Sequence, residues 1–368
     1  MNNNDNIFIQ PSHENYEKVL TKDKLYRLLT LKDINLEKME RLSTKIKKKY
    51  VGNIVYYRGL VEYSNLCQKD CYYCGIRCSN NKIKRYTMTD DEVLEAAIFA
   101  YEKNYASIVL QSGERTDKIF IEKITSLIKK IHKVTNPNLK ITLSLGEQTE
   151  ETYKKWLENG AARYLLRIET SSKILYEKLH PNNENHSYIN RLKSIEALHK
   201  LDYQVGSGVM IGLPFQTIDD LVNDLLFFRD YDIDMIGMGP YIEHKNTPLY
   251  SFKNELLSKK DRFYLSLKMI ATLRILMKDI NIAATTAMQS LDPLGREKAI
   301  MFGANVIMPN LTPLKYRKDY LLYENKPCIE ENADLCSACL EKRIKFTGNE
   351  IGYGKWGNSK HYEKKLRV

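Results

Sequence analysis

The sequence predicts an α/β fold: a (β/α)8 barrel of the TIM type, with an N-terminal helical cap before it and a C-terminal extension after it. Three observations lead there. Eight short apolar runs recur between residues 54 and 308 with amphipathic helical stretches between them, an alternation that argues for a parallel sheet, and for eight units a closed barrel is the leading solution. No low-complexity block or flexible linker interrupts residues 51–310. Polar residues recur at every second position inside several runs, as expected where one strand face lines an interior.

Residues 14–50 carry two helical patterns, Leu20, Leu25, Leu28 and Leu29 in the first and Leu36, Met39, Leu42 and Ile46 in the second, within a cap expected at 1–50. Strands are expected at 54–64, 107–112, 140–145, 163–169, 204–211, 235–241, 281–287 and 305–308. Helices are expected near 90–103, 117–133, 149–159, 187–201, 217–230, 258–278 and 293–302. Thr89-Asp-Asp-Glu92 has the form of a capping box, Thr149 opens another helix, and Gly160 closes it. After Pro309 the alternation stops, so 311–368 is the extension.

At 368 residues, 43% hydrophobic and 28% charged, the chain has the composition of an ordinary globular protein with a sizeable core. The net charge of +11 is spread over short groups such as Lys47–Lys49, Lys129–Lys130 and Lys259–Lys260, which read as solvated helix faces; no nucleic-acid partner is expected. No apolar run is long enough to span a bilayer, and the start lacks the basic-then-apolar order of a signal peptide, so the expected location is cytoplasmic, without membrane contact. Seven cysteines in a reducing compartment are metal-binding or catalytic more plausibly than bridged, and they fall in two groups.

The first group is Cys67-Gln-Lys-Asp-Cys71-Tyr-Tyr-Cys74-Gly75, directly after the first strand. Three thiolates can hold three irons of a 4Fe-4S cube and leave the fourth open to bind something else. The alternative is a zinc tetrahedron completed by Cys78, although zinc sites usually pair their ligands across a longer loop. Arg58, Glu62 and Ser64 share the inward face of the first strand, where two charges must pair with each other or with a ligand. Thr142 and Ser144, then Arg167 and Glu169, repeat the pattern on the third and fourth strands. Gln111-Ser-Gly-Glu114, Leu145-Gly-Glu147 and Gly206-Ser-Gly208 place glycine where backbone can approach a ligand closely.

The unequal C-x3-C-x2-C spacing, with Tyr73 before the last thiol and Gly75 after it, resembles the radical S-adenosylmethionine (SAM) superfamily. Further phrases, among them Arg58-Gly-Leu-Val-Glu62, Arg85-Tyr-Thr-Met88, Tyr164-Leu-Leu-Arg-Ile-Glu-Thr170, Leu179-His-Pro181, Asp234-Met-Ile-Gly-Met-Gly-Pro240 and Ala304-Asn-Val-Ile-Met-Pro-Asn310, narrow it. They are similar to the HydE family of FeFe-hydrogenase maturases, in the group that holds biotin synthase and methylornithine synthase; the similarity covers about residues 50–340.

The resemblance implies that Cys67, Cys71 and Cys74 hold the 4Fe-4S cluster and that SAM chelates its open iron, with Tyr73 near the adenine. Gln111 and Ser112 would lie against the methionine part of SAM, Glu169 on the ribose hydroxyls, Arg191 on the carboxylate and Met235 on the adenine. Thr142 and Arg167 would face the substrate cavity, with Thr285, Thr286 and Tyr316 as further members. The implied reaction is reductive cleavage of SAM to a 5′-deoxyadenosyl radical, which attacks the sulfur of a cysteine-bound iron carbonyl cyanide complex during assembly of the hydrogenase cofactor. Implied partners are that small iron complex, the other maturases HydG and HydF, and a reductant such as ferredoxin or flavodoxin. Cys328, Cys336 and Cys339 match a second iron-sulfur cluster of some family members, with zinc or stray thiols as alternatives. Ile168 stands where family members usually carry histidine. Two other readings compete: the same barrel acting on an amino acid, as in methylornithine synthase, and a zinc-stabilised basic nucleic-acid binder.

Overall fold

The computed structural model describes residues 20–135, 138–330 and 332–367, leaving out the side chains of 334–338. Its strands are β1 (Ile54–Tyr57), β2 (Gly59–Ser64), β3 (Ser107–Ser112), β4 (Lys140–Ser144), β5 (Ala161–Leu165), β6 (Gln204–Ser207), β7 (Met210–Ile211), β8 (Met235–Ile236), β9 (Gly239–Pro240), β10 (Asn281–Ile282), β11 (Val306–Ile307) and β12 (Glu350–Ile351). Seven of them run parallel in the order β10-β8-β6-β5-β4-β3-β2. β11 closes the gap: it pairs in parallel with β1, and Val306 bridges to Ala283 just past β10. The Asn305 N–H donates to the Ile282 carbonyl and the Asn305 carbonyl accepts from Tyr56, both at 2.9 Å, so the expected barrel is formed.

Several expected strands are shorter. The run 54–64 changes partners at Arg58, its first half joining β11 and β12 and its second half joining β3. The strand expected at 163–169 runs from Ala161 to Leu165; beyond it Glu169, with a left-handed backbone (φ 66°), makes only an isolated bridge to Val209. The runs 204–211 and 235–241 each split in two where their backbones nearly touch; a Cβ on Gly208 would lie 1.9 Å from the Gly237 carbonyl oxygen. The run 281–287 keeps only β10, since Thr286 opens a short helix, Thr286–Leu291.

Helices stand outside the strands, and their starts follow the sequence signals. The Thr89 side chain accepts from the Glu92 N–H at 3.3 Å while the Glu92 carboxylate accepts from the Thr89 N–H at 2.8 Å, a complete capping box for the helix Asp90–Glu102. The N-terminal helices Lys22–Leu29 and Leu36–Tyr50 pack on the barrel's flank, against the helix Lys259–Leu276. That helix is consequently buried on nearly every side from Arg262 to Leu276. Each such leucine or isoleucine contributes about 1.5–3 kcal/mol of burial. No helix among the described residues is long and apolar enough to cross a membrane.

Residues 311–368 hold more regular structure than the sequence suggested: helices Leu314–Arg317, Ala333–Phe346 and Lys360–Lys365, plus β12, which extends the barrel wall beside β1. The loop after β12 then plugs the floor of the barrel. Arg163, fully buried, donates to the Trp356 carbonyl and to Asn358 Oδ1, both at 2.6 Å. Arg58 Nη2 and Asn281 Nδ2 both donate to the Gly357 carbonyl, at 3.1 and 2.8 Å. Gly357 must be glycine, with φ at 61° and Tyr56 Cγ 2.4 Å from any added Cβ. Arg58 thus does not pair with Glu62: it ends on the Gly357 carbonyl and on Met235 Sδ (2.9 Å), and burial drives its guanidinium well below the usual arginine range.

Candidate active site

The cysteine loop leaves β2 at the C-terminal end of the strands, the end at which barrel enzymes build their sites. Asn65 starts it, donating to the carbonyls of Lys84 (2.8 Å) and Asp319 (2.7 Å) and accepting from the Tyr86 N–H (2.8 Å). Arg85 then gathers the loop, its guanidinium donating to the carbonyls of Asn65, Ile76, Arg77, Cys78 and Asn80 within 2.6–3.3 Å. A Cβ on Gly113 would lie 2.3 Å from the Leu66 carbonyl oxygen and 2.7 Å from Cys67 Cβ, so the turn after β3 needs glycine to pass behind the first cysteine.

Cys67, Cys71 and Cys74 are free thiols of intermediate exposure. Cys67 Sγ accepts from the backbone N–H groups of Lys69 (3.4 Å) and Glu114 (3.3 Å). Burial, then the neighbouring Cys74 and Cys67 sulfurs, push the Cys71 thiol well above its usual range, and burial and Cys67 push Cys74 up to about 12. Three sulfurs this close repel as thiolates unless a cation spreads their charge, and backbone N–H groups aimed at sulfur suit such a complex; the donor set fits an iron-sulfur cluster. Cys78 does not join them. It is exposed, its sulfur 4.0 Å from Ser79 Oγ, and its neighbours Arg77 (2.6 Å) and Ser79 are both bonded to Asp70. Among the described residues no three His, Cys, Asp or Glu side chains are placed to share one metal ion, as the zinc alternative requires.

Beside the loop lies a buried ionic network that the sequence reading passed over. Lys69 contacts Glu114 (3.0 Å) and Glu147 (3.1 Å), and Arg191 reaches Glu147 (2.5 Å) and Glu114 (3.8 Å). Burial raises the Glu114 carboxyl, whereas Glu147, despite its burial, is held low by Arg191 and Lys69. Both glutamates follow the glycine of a strand-end turn, which is the signal that could have found them. A Cβ on Gly146 would lie 2.2 Å from the Glu114 carboxylate, so that glycine makes room for the network.

Arg167 and Glu169 form a two-pronged pair at 2.8 and 2.9 Å, Arg167 also donating to the Gly237 carbonyl. The sequence put them on one strand face; the structure joins them through the left-handed turn at Glu169, which also receives Arg191 Nη1 on the Arg167 carbonyl (3.0 Å). Ile168 is fully buried in the main hydrophobic core.

Gln111 Nε2 donates to the Tyr320 hydroxyl at 3.3 Å, and Ser112 Oγ to the Gly113 carbonyl at 2.6 Å. Thr285 Oγ1 donates to the Met238 carbonyl (3.3 Å), and Thr286 Oγ1 lies 2.7 Å from the Tyr323 hydroxyl. Thr142 and Met235 lie inside the barrel, lining a cavity of about 30 Å³ with Arg58, Val109, Leu165 and Met308. Met235, expected on the adenine, lies in this structure beside Thr142 and Arg58. Tyr316, expected in the substrate cavity, is turned outward: its ring stacks on Tyr86 at 4.4 Å and its hydroxyl donates to Glu92. From that segment Tyr320 and Tyr323 point inward, and Lys326 enters to pair with Glu62, whose other oxygen accepts from Asn310 Nδ2 (3.2 Å).

The second cysteine group is partly described. Cys328 Sγ accepts from Arg296 Nη2 at 3.7 Å, and Cys339 sits beside Arg343, which is paired with Glu297; both thiols thus border the helix Gly295–Met301. The side chain of Cys336 lies outside the described residues.

Residues 61–228 match the family model of the radical SAM superfamily. The chain is 46% identical over 342 residues to the [FeFe] hydrogenase maturase subunit HydE of Thermotoga maritima, covering 92% of this chain and 94% of that one. The chain belongs to the HydE family of radical SAM proteins. It is also 27% identical to the 3-methylornithine synthase of Methanosarcina acetivorans, over 90% of each chain. Among solved structures, methylornithine synthase superposes with a TM-score of 0.77 at 23% identity over 99% of both chains, and the maturase HydG with 0.79 at 21% identity over 99% of this chain and 80% of its own. Those two show the fold. As a radical SAM protein this one uses a 4Fe-4S cluster and SAM.

Proposed function

We propose that this protein is a radical SAM enzyme that acts in assembly of the FeFe-hydrogenase active-site cofactor. The observation that carries the reading is the near full-length similarity to HydE, with three free thiols crowded at the mouth of the barrel. Cys67, Cys71 and Cys74 would hold the cluster, and a reduced cluster bound there with SAM would supply one-electron cleavage of the sulfonium to methionine and a 5′-deoxyadenosyl radical. The chain's own part is to position and to exclude water. Arg191, at the meeting point of Glu114 and Glu147, holds the SAM carboxylate; Glu169, fixed by Arg167, holds the ribose hydroxyls; Gln111 and Ser112 border the methionine part; Tyr73 lies toward the adenine.

The substrate, a cysteine-bound iron carbonyl cyanide complex, sits deeper, where Arg167, Thr142, Thr285 and Thr286 offer donors and positive charge, joined by Tyr323. Ferredoxin or flavodoxin supplies electrons, and HydG and HydF act before and after. Cys328, Cys336 and Cys339 hold an accessory cluster, so Cys336→Ser leaves SAM cleavage largely intact.

The test is anaerobic reconstitution with iron and sulfide, reduction with dithionite, and chromatographic detection of 5′-deoxyadenosine. Wild type yields it and Cys71→Ser does not; surviving cleavage in Cys71→Ser refutes the ligand assignment. In a maturation assay the protein then activates apo-hydrogenase together with the partner maturases. Cleavage without activation turns the reading toward an amino-acid substrate.

A further inference from the structure

Seven non-glycine residues have a positive φ among the described residues. Four are asparagine or aspartate, which tolerate that region, and of the other three Glu169 and Cys328 belong to sites already proposed. The third is Phe215, with φ at 67° and its side chain 40% exposed just beyond β7. A bulky residue in the left-handed region is strained, and such strain persists where the surroundings hold it and a site uses it. Gln216 holds this turn: its Oε1 accepts from the Gly212 and Leu213 N–H groups (2.7 and 3.2 Å), and its Nε2 donates to the Met210 carbonyl (2.9 Å). The chain thus presents an aromatic ring to solvent at a position where glycine would be unstrained.

Phe215 meets Phe252 edge-on at 4.7 Å, and Lys178 Nζ stands 5.1 Å from the centre of its ring. Ile174, 72% exposed, lies one helical turn before Lys178 and extends the patch. Lys253 is next to Phe252, and Lys259 and Lys260 start the helix whose Arg262 side chain lies against Gly212. Unlike Lys173, which is paired with Glu177 (3.7 Å), none of these four lysines forms an ion pair among the described residues. Between Lys245 and Lys260 the sequence has one acid, Glu255. Beneath the patch Leu175, Leu179, Leu213, Tyr241 and Leu249 form a small core on which Phe252 packs, as do Tyr72 and Tyr73 of the cysteine loop. The Tyr72 N–H donates to the Leu179 carbonyl (3.0 Å) and its carbonyl accepts from the Leu249 N–H (3.1 Å), so one layer of side chains separates the patch from that loop.

We propose that the Ile174–Lys178–Phe215–Phe252 patch is where a small acidic one-electron carrier protein docks to reduce the cluster; this rests on the reading that Cys67, Cys71 and Cys74 hold one. Unpaired lysines around an apolar centre steer and orient an acidic partner. A few exposed side chains suit the small, transient interfaces of electron transfer better than a lasting complex. One electron leaves the reduced carrier and enters the cluster, and no bond forms or breaks. Electron transfer weakens steeply with distance, and a carrier on this patch is kept within one packed layer of the cysteine loop.

The experiment is stopped-flow reduction of the reconstituted full-length protein by a photoreduced flavodoxin, beside reduction by dithionite. Wild type is reduced by flavodoxin at a rate that falls as salt rises. Ile174→Glu and Lys178→Glu each slow that rate by about 10-fold. Phe215→Gly slows it too, while its urea midpoint holds or rises because glycine relieves the turn; a merely structural ring would lower the midpoint instead. With dithionite all three variants are reduced, and form 5′-deoxyadenosine, as wild type does. Wild-type flavodoxin rates in Ile174→Glu and Phe215→Gly overturn the proposal, as does an equal loss with dithionite. A normal flavodoxin rate with lost activation of apo-hydrogenase overturns it as well, and makes the patch a surface for a partner maturase. A wild-type protein that dithionite cannot reduce refutes the cluster assignment instead. Carbodiimide cross-linking of flavodoxin to Lys178 then reads the surface by itself, and absence of that cross-link overturns the proposal.

Discussion

The C-terminal helix Lys360–Lys365 is held to the barrel floor by charge, and one side chain makes that hold depend on pH. His361 Nε2 lies 2.6 Å from Asp232 Oδ1 and Nδ1 lies 3.3 Å from Asp279 Oδ1, so the ring donates from both nitrogens and is an imidazolium. Burial alone would lower it, but its bonds to Asp232 and Asp279 outweigh that and raise it from 6.5 to about 9. A folded-state value above the unfolded one means stabilisation that is complete below 6.5 and lost as pH rises through about 9. The rise from 6.5 to about 9 sets a ceiling of roughly 3 kcal/mol. Asp232 is 55% exposed and Asp279 only 10%, so water screens one partner of the two. That reduces the expected contribution to about 1–2 kcal/mol.

The perturbation is His361→Gln, which keeps hydrogen-bonding capacity and removes the charge. The assay is amide hydrogen exchange of the segment 355–367 in both proteins, as a ratio at each pH so that intrinsic exchange cancels. Wild type is expected to be more protected by about 5- to 30-fold at pH 6, with the ratio falling toward one by pH 10. A ratio that does not change with pH would refute the argument, whatever its size.

Two further outcomes follow from the packing. Lys326→Met strands the Glu62 carboxylate, 1% exposed, and costs about 3–5 kcal/mol, whereas adding Glu62→Gln recovers most of it; urea midpoints measure both, and a double variant no better than the single one contradicts the pairing. Gly113→Ala drives a methyl group into Leu66 and Cys67 and lowers the iron retained per chain, while Gly237→Ala, with 3.8 Å to its nearest neighbour, loads normally; equal iron in both variants would deny the close approach.

What the sequence determined by itself is what local chemistry encodes. The alternation of apolar runs and amphipathic helices is sufficient for a parallel sheet, since each run must be covered and reached by a crossover, and the count of eight units favoured its closure into a barrel. The capping signals at Thr89 and Thr149 set helix starts within a turn, and both side chains cap as expected. The cysteine spacing, read against its superfamily, marked the loop at the mouth, because three thiols within eight residues can meet through one local turn without help from distant parts of the chain.

Tertiary structure alone decided which residues far apart in the chain share a charge or a proton. Glu62 and Arg58 share a strand face, yet each ends on a partner from the C-terminal segment, Lys326 for one and the Gly357 carbonyl for the other. Tyr316, placed in the cavity by resemblance, bonds Glu92 and stacks on Tyr86, while Tyr320 and Tyr323 from the same stretch meet Gln111 and Thr286. Glu169, expected within a strand, lies beyond the end of β5 with a left-handed backbone and keeps only an isolated bridge to Val209. Such outcomes depend on where a chain returns after many residues, and periodicity carries no record of that; only burial, which forces every charge to find a partner, settles it.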